Sequence, residues 1–125
     1  AYGQNEFPAF WSAKSPHQAP LRMDSAEAIA KAHATRRALG LPGGQLVANP
    51  IPSADQIAAA ELAPIIAAAQ ADADAHRITG KAVTPYLLQR IFEKTQGRSL
   101  TANIALIRNN ARLAAGIAKA LSRDA

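Results

Sequence analysis

The chain has 125 residues, no cysteine and a formal net charge of +5. That length suits one domain rather than two, and the missing thiols exclude a disulfide scaffold and any cysteine-based zinc site. No apolar run reaches the roughly 18 residues of a membrane helix and no charged-then-apolar leader opens the chain, which makes the cytoplasm the default compartment. The cations are scattered, with Arg36-Arg37 the densest pair. A clustered basic footprint for nucleic acid is therefore not formed, whereas a small phosphorylated ligand suits the charge.

Alanine supplies much of the apolar content and buries little surface, so the large side chains must carry the core. They open with Phe7, Phe10 and Trp11. Short strands are expected at residues 7–11 and 21–23, with Pro8 favouring a sheet edge. Asp24-Ser25-Ala26-Glu27 reads as a capping box, with Asp24 as cap, opening a helix to about Leu39. Gly40 supplies a left-handed terminal residue and Pro42 blocks continuation. Residues 45–49 then read as a short apolar strand ended by Pro50 and Pro52.

Ser53-Ala54-Asp55-Gln56 predicts a short helix over 54–58, and a longer one should run from about 60 to His76 with Pro64 near its first turn. Thr84-Pro85 predicts a cap and first helical residue for a helix ending at Gly97. Ser99 or Leu100 should begin the last helix, which reaches about Leu121. A single strand at 46–49 cannot satisfy its own edges, and nothing else in the sequence makes a convincing sheet. The expected organisation is therefore one piece of a larger domain, mostly helical with one to three short strands.

On a wheel of about 100° per residue, Leu100, Ile104, Leu106, Ile107, Leu113, Ala114 and Ile117 share one face of that last helix. Arg108, Arg112 and Lys119 oppose it. Asn103 and Asn110 fall inside the apolar face, two turns or about 10 Å apart, while Asn109 falls outside. An unpartnered buried amide costs roughly 1–3 kcal/mol. The two amides must therefore bond a neighbouring backbone, pair across an interface, or meet a ligand, and a carboxamide can both donate to and accept from a nucleobase edge. Asp72 and His76 share a helix face, but two groups are too few for a metal. Lys81 stands alone in a loop, and His17 and His33 have no triad partners.

Four stretches, in order, resemble the pseudouridine-5′-phosphate glycosidases: Tyr2-Gly-Gln-Asn-Glu-Phe-Pro-Ala-Phe-Trp11, Leu39-Gly-Leu-Pro-Gly-Gly-Gln-Leu-Val-Ala-Asn-Pro-Ile-Pro52, Ile78-Thr-Gly-Lys-Ala-Val-Thr-Pro-Tyr-Leu-Leu88 and Gly97-Arg-Ser-Leu-Thr-Ala-Asn-Ile-Ala-Leu-Ile-Arg-Asn-Asn-Ala-Arg-Leu113. The family usually carries Thr at the place of Gln4 or Asn5, and Tyr or Phe at the places of Trp11 and Tyr86. The resemblance implies an α/β/α fold in which residues 1–125 form the C-terminal segment of one larger domain, with the catalytic N-terminal part lying outside it.

It further implies reversible cleavage of the carbon–carbon glycosidic bond of pseudouridine 5′-phosphate to uracil and ribose 5-phosphate, in a cytoplasmic homotrimer using manganese. The family's Schiff-base Lys, its Glu for proton transfer and its metal-binding Asp belong to the upstream part and match no position here. The element that does map is an amide that contacts uracil. The resemblance places it at Asn103; Asn110, on the same apolar face, is the second candidate, and Asn49, at the end of a strand entering a Pro-rich turn, the third. Two other readings stand beside it: a catalytically silent helical module that binds a partner through an apolar face, and a basic nucleic-acid-binding module.

Overall fold

The computed structural model describes residues 1–123. Four helices follow an irregular N-terminal stretch: α1 (Ala26–Ala38), α2 (Ala59–Ala75), α3 (Val83–Lys94) and α4 (Arg98–Arg123). A 3₁₀ turn, Gly80–Ala82, leads into α3. Among the described residues no helix is long and apolar enough to cross a membrane.

The expected strands reduce to two isolated bridges among the described residues, Tyr2 with Met23 in parallel and Glu6 with Gln18 in antiparallel sense. Residues 7–11 form no strand, because Pro8 has no N–H and Trp11 turns into the core instead. Residues 45–49 carry no ladder either. The Tyr2 N–H donates to Ala48 C=O at 3.0 Å, yet Leu46 remains 90% exposed. A strand needs a neighbour, and among the described residues none runs beside this one.

The helix ends show which local signals win. Ser25, not Asp24, caps α1: its backbone is extended and its Oγ accepts from the Ala28 N–H at 3.0 Å. Asp24 is drawn off by Arg22, whose Nε donates to Asp24 Oδ1 at 2.7 Å. The predicted helix over 54–58 is a turn instead. There the Ile57 N–H donates to Trp11 C=O, Ser12 Oγ donates to Ile57 C=O, and the Ala13 N–H donates to Gln56 Oε1, so the N-terminal segment takes the bonds a helix would have used. Pro85 is the third residue of α3 rather than the first. It still sits in the opening turn, where a missing N–H costs nothing. Pro64 is the sixth residue of α2.

Three helices close with one device. The N–H two residues beyond the C-cap reaches back to the carbonyl of the helix's third-last residue, in the pairs Leu41 to Arg36, Ile78 to Ala73 and Gly97 to Phe92. This motif puts the intervening residue in the left-handed region, where glycine is favoured. Gly40 fills that place after α1, but Arg77 and Gln96, both at φ +53, fill it after α2 and α3. The stop after α3 is therefore Gln96, one residue before the expected Gly97. Arg77→Gly and Gln96→Gly should each stabilise the complete protein by about 0.5–1 kcal/mol, read as a raised urea midpoint at unchanged slope. A lowered midpoint would mean that these side chains make contacts worth more than the backbone strain.

The core gathers Trp11, Ile51, Ile57, Leu62, Ala69, Ile91, Ala102 and Leu106. α2 packs on α3, and α1 packs on α4. The second contact is close at Gly116, where a Cβ would lie in van der Waals contact with Ala26 Cβ at 3.4 Å. Between α3 and α4 the chain turns in three residues, and buried Thr95 locks the corner. Its Oγ1 donates to Ile91 C=O at 2.7 Å and accepts from the Ser99 N–H at 3.2 Å.

Along α4 the predicted apolar face divides in two. Leu106 is buried and Leu113 half-buried, as part of an inward row of Ser99, Ala102, Leu106, Asn109, Leu113, Gly116 and Ala120. Leu100, Ile104 and Ile107 are instead 50%, 48% and 58% exposed.

Candidate functional site: an amide-bearing helix beside an aromatic groove

Asn103 lies on the line between the inward and outward rows of α4, half-buried. It borders a groove of about 430 Å³ whose other walls include Phe10, Trp11, Leu88, Gln89, Phe92 and Leu100. Each wall has a local cause. Trp11 is pinned by its indole, whose Nε1–H donates to Ser99 C=O at 3.0 Å in the first turn of α4. Phe10 stands edge-on to Trp11, with ring centroids 4.6 Å apart at 84°, an arrangement that suits the two ring quadrupoles. Leu88, Gln89 and Phe92 lie on one face of α3 at helical spacing, and the tight Thr95 corner brings that face alongside Asn103.

The polar rim is ordered too. Gln89 Nε2 donates to Glu93 Oε1 at 2.9 Å, and Arg90 Nη1 donates to Glu93 Oε2 at 3.1 Å. The Gln89 bond, and then the Arg90 bond, hold the Glu93 carboxyl below its usual range. Arg90 also donates to the Tyr86 hydroxyl at 3.2 Å, and that bond, followed by the one to Glu93, strengthens its proton affinity. The result is an apolar, aromatic-walled groove with one amide of α4 on its border, joined through Gln89 to the charged network on α3. Such a groove can hold a flat heterocycle by stacking while a carboxamide meets its polar edge.

The other two amides expected as substrate contacts lie elsewhere. Asn49 and Asn110 meet each other: Asn49 Nδ2 donates to Asn110 Oδ1 at 3.0 Å. They border a second groove of about 430 Å³, with Gln45, Val47, Leu113 and Ile117 among its walls. Beside them Asn109, which the wheel set outside the apolar face, is turned inward. Its Nδ2 donates to Pro50 C=O at 3.0 Å. Adjacent asparagines of α4 thus clasp the Asn49-Pro50 dipeptide, a segment whose Pro50 has no N–H to offer a ladder. The sequence signal was present in the Asn109-Asn110 doublet, but the wheel could not show which loop would come to meet it. The structure therefore joins Asn49 with Asn110 and sets Asn103 apart, seven positions from Asn110 on the same helix.

Among the described residues, no three His, Cys, Asp or Glu side chains stand together as a metal would require. His76 Nδ1 lies 2.7 Å from the Asp72 carbonyl oxygen rather than its carboxylate. The donor set of the described residues does not fit a resident divalent metal, so these residues are assigned no role in holding one.

Comparison with known proteins shows what the chain is similar to. Residues 1–120 match the family model described as indigoidine synthase A like protein. The pseudouridine-5′-phosphate glycosidase of Roseobacter denitrificans is 72% identical over 123 residues, covering 98% of this chain and 40% of its own. That of Jannaschia sp. is 60% identical over 122 residues, with 98% and 40% covered. Among solved structures, the prealnumycin C-glycosynthase AlnA in complex with ribulose 5-phosphate superposes with a TM-score of 0.87 at 30% identity, covering 98% of this chain and 40% of that one. The chain spans about 40% of the length of the curated relatives it matches. It shares the fold of the AlnA structure over that span, and it belongs to the indigoidine synthase A like family.

Proposed function

We propose that the complete protein reversibly cleaves the carbon–carbon glycosidic bond of pseudouridine 5′-phosphate, giving uracil and ribose 5-phosphate, and that the present segment supplies contacts to the base. The observation that carries this reading is the placement of Asn103 on the aromatic groove, in a chain 72% identical to a pseudouridine-5′-phosphate glycosidase. Uracil is flat and offers a donor and an acceptor along one edge, which suits stacking against a side chain such as Phe10 or Phe92 and pairing with a carboxamide.

Of the other two amides, Asn110 and Asn49 hold each other, which assigns them to shaping the neighbouring loop before any direct contact with substrate. Breaking a carbon–carbon bond demands an activated nucleophile and a proton-transfer group. In this reading those groups, and the residues that hold manganese, come from the polypeptide outside the segment. The complete enzyme is taken to be a cytoplasmic homotrimer. The name of the AlnA structure pairs that relative with a pentulose phosphate, which supports a sugar phosphate as the second half of the substrate.

The direct test is the synthetic direction. Complete protein supplied with manganese, uracil and ribose 5-phosphate should form pseudouridine 5′-phosphate, seen as a product that resists acid hydrolysis of N-glycosides. No product, with uracil and sugar phosphate recovered intact, would overturn the assignment.

A further inference from the structure

We infer that α4 is an interior helix of the complete protein, and that its second apolar row is covered by the remainder of the same polypeptide. The inference rests on α4 and on the length comparison, not on the reaction proposed above.

Two rows of small or apolar residues run along α4. The first faces α1 and the core. The second consists of Leu100, Ile104 and Ile107, followed by Ala111, Ala114 and Ala118, and all six are exposed. The spacing alternates between three and four residues, which keeps the row on one side of the helix for nearly its whole length. A helix with apolar rows on two sides belongs inside a larger body, since a surface helix needs only one. The row is also graded: large side chains at its N-terminal end give way to alanines, over which another element can approach closely.

Two observations and one general principle identify the occupant. The relatives are about two and a half times as long as this segment, which covers 40% of each, so the greater part of the family's chain is available to cover the row. A covalently joined partner also acts at an effective concentration reaching the millimolar range. Charge disfavours a second copy: α4 bears Arg98, Arg108, Arg112, Lys119 and Arg123 and no acidic residue. Arg98 is paired with Glu61, but two such helices laid face to face would bring together Arg108, Arg112 and Lys119 with no acidic residue on either helix to offset them. The surface that covers α4 is therefore apolar with an acidic margin, and it is contributed in cis. Because Asn103 lies between the two rows, it falls on the seam where the two parts of the protein meet.

The test uses engineered thiols, since this segment has none of its own. Ile107→Cys and Arg108→Cys are made separately in the complete protein, and alkylation at each position is followed by mass spectrometry of the peptide. Ile107→Cys should react roughly 100-fold more slowly than its neighbour, as expected of a site opened only by local unfolding. Ala114→Cys, a smaller change on the same row, should be protected likewise even where the first variant misfolds.

A photo-reactive benzophenone side chain placed at position 111, in a mixture of isotopically light and heavy chains, then identifies the cover. Light–light and heavy–heavy cross-links to residues outside this segment are expected. Equal reactivity of the thiols on the row and at Arg108→Cys would overturn the inference, and so would light–heavy cross-links, which would make the cover a second copy. Because none of these readouts measures turnover, their failure is distinguishable from failure of the proposed reaction.

Discussion

Asn103→Ala in the complete enzyme should lower kcat/KM for pseudouridine 5′-phosphate by about 10- to 100-fold, the loss expected when one or two hydrogen bonds to a bound heterocycle are removed. The effect should be selective. Asn103 borders the aromatic groove with Phe10, Leu88 and Phe92, and no cationic side chain is among that groove's walls, so the proposed reading puts the phosphate contacts elsewhere. In the synthetic direction the variant should show a raised KM for uracil and a nearly unchanged KM for ribose 5-phosphate. Asn103→Asp keeps the shape but replaces the donating amide with a second acceptor, and should be at least as damaging. An equal loss for both substrates would mean that the substitution disturbs the fold rather than the base contact. Unchanged kinetics would remove Asn103 from the site.

Trp11→Ala should be the most destabilising single substitution in the segment, at about 3–5 kcal/mol. The indole is nearly fully buried among Ile51, Ile57, Leu62 and Leu106, in a core otherwise made of small and medium side chains. Its removal leaves a cavity and also loses the bond that its Nε1–H donates to the Ser99 carbonyl. Trp11→Phe retains most of the volume and loses the bond, so about 1–2 kcal/mol is expected. Chemical denaturation of the complete protein with both variants checks the ordering. If Trp11→Phe cost as much as Trp11→Ala, the hydrogen bond rather than the buried area would carry the effect.

How much of this is legible in the sequence depends on whether the deciding partner is close in the chain. Helices α1 to α4 are legible because apolar spacing, Gly40 and Pro42 act within a turn or two. The caps are legible only to within a residue: Ser25 displaces Asp24 once Arg22 has engaged that carboxylate. Residues 54–58 carry a helix-opening pattern yet form a turn, because their hydrogen-bond partners, Trp11 to Ala13, lie more than forty positions away. The segment at 46–49 does not form the predicted strand, since no pairing neighbour occurs among the described residues.

The site divides in the same way. The wheel puts Asn103 and Asn110 on an apolar face. It cannot show that this face splits between a buried row and an open one, nor that Asn109 turns inward to hold Pro50. The groove wall formed by Phe10 is unreadable in sequence, because it depends on Trp11 reaching Ser99, 88 positions along the chain.

The most direct test of the central claim compares uracil release from pseudouridine 5′-phosphate by two purified samples, each with manganese: the complete protein and residues 1–125 alone. If the segment supplies base contacts and the remainder of the polypeptide supplies the chemistry, the complete protein turns over and the segment does not. Turnover by the segment alone would contradict this division, because a full catalytic set would then lie within these 125 residues. An inactive complete protein would contradict the reaction itself.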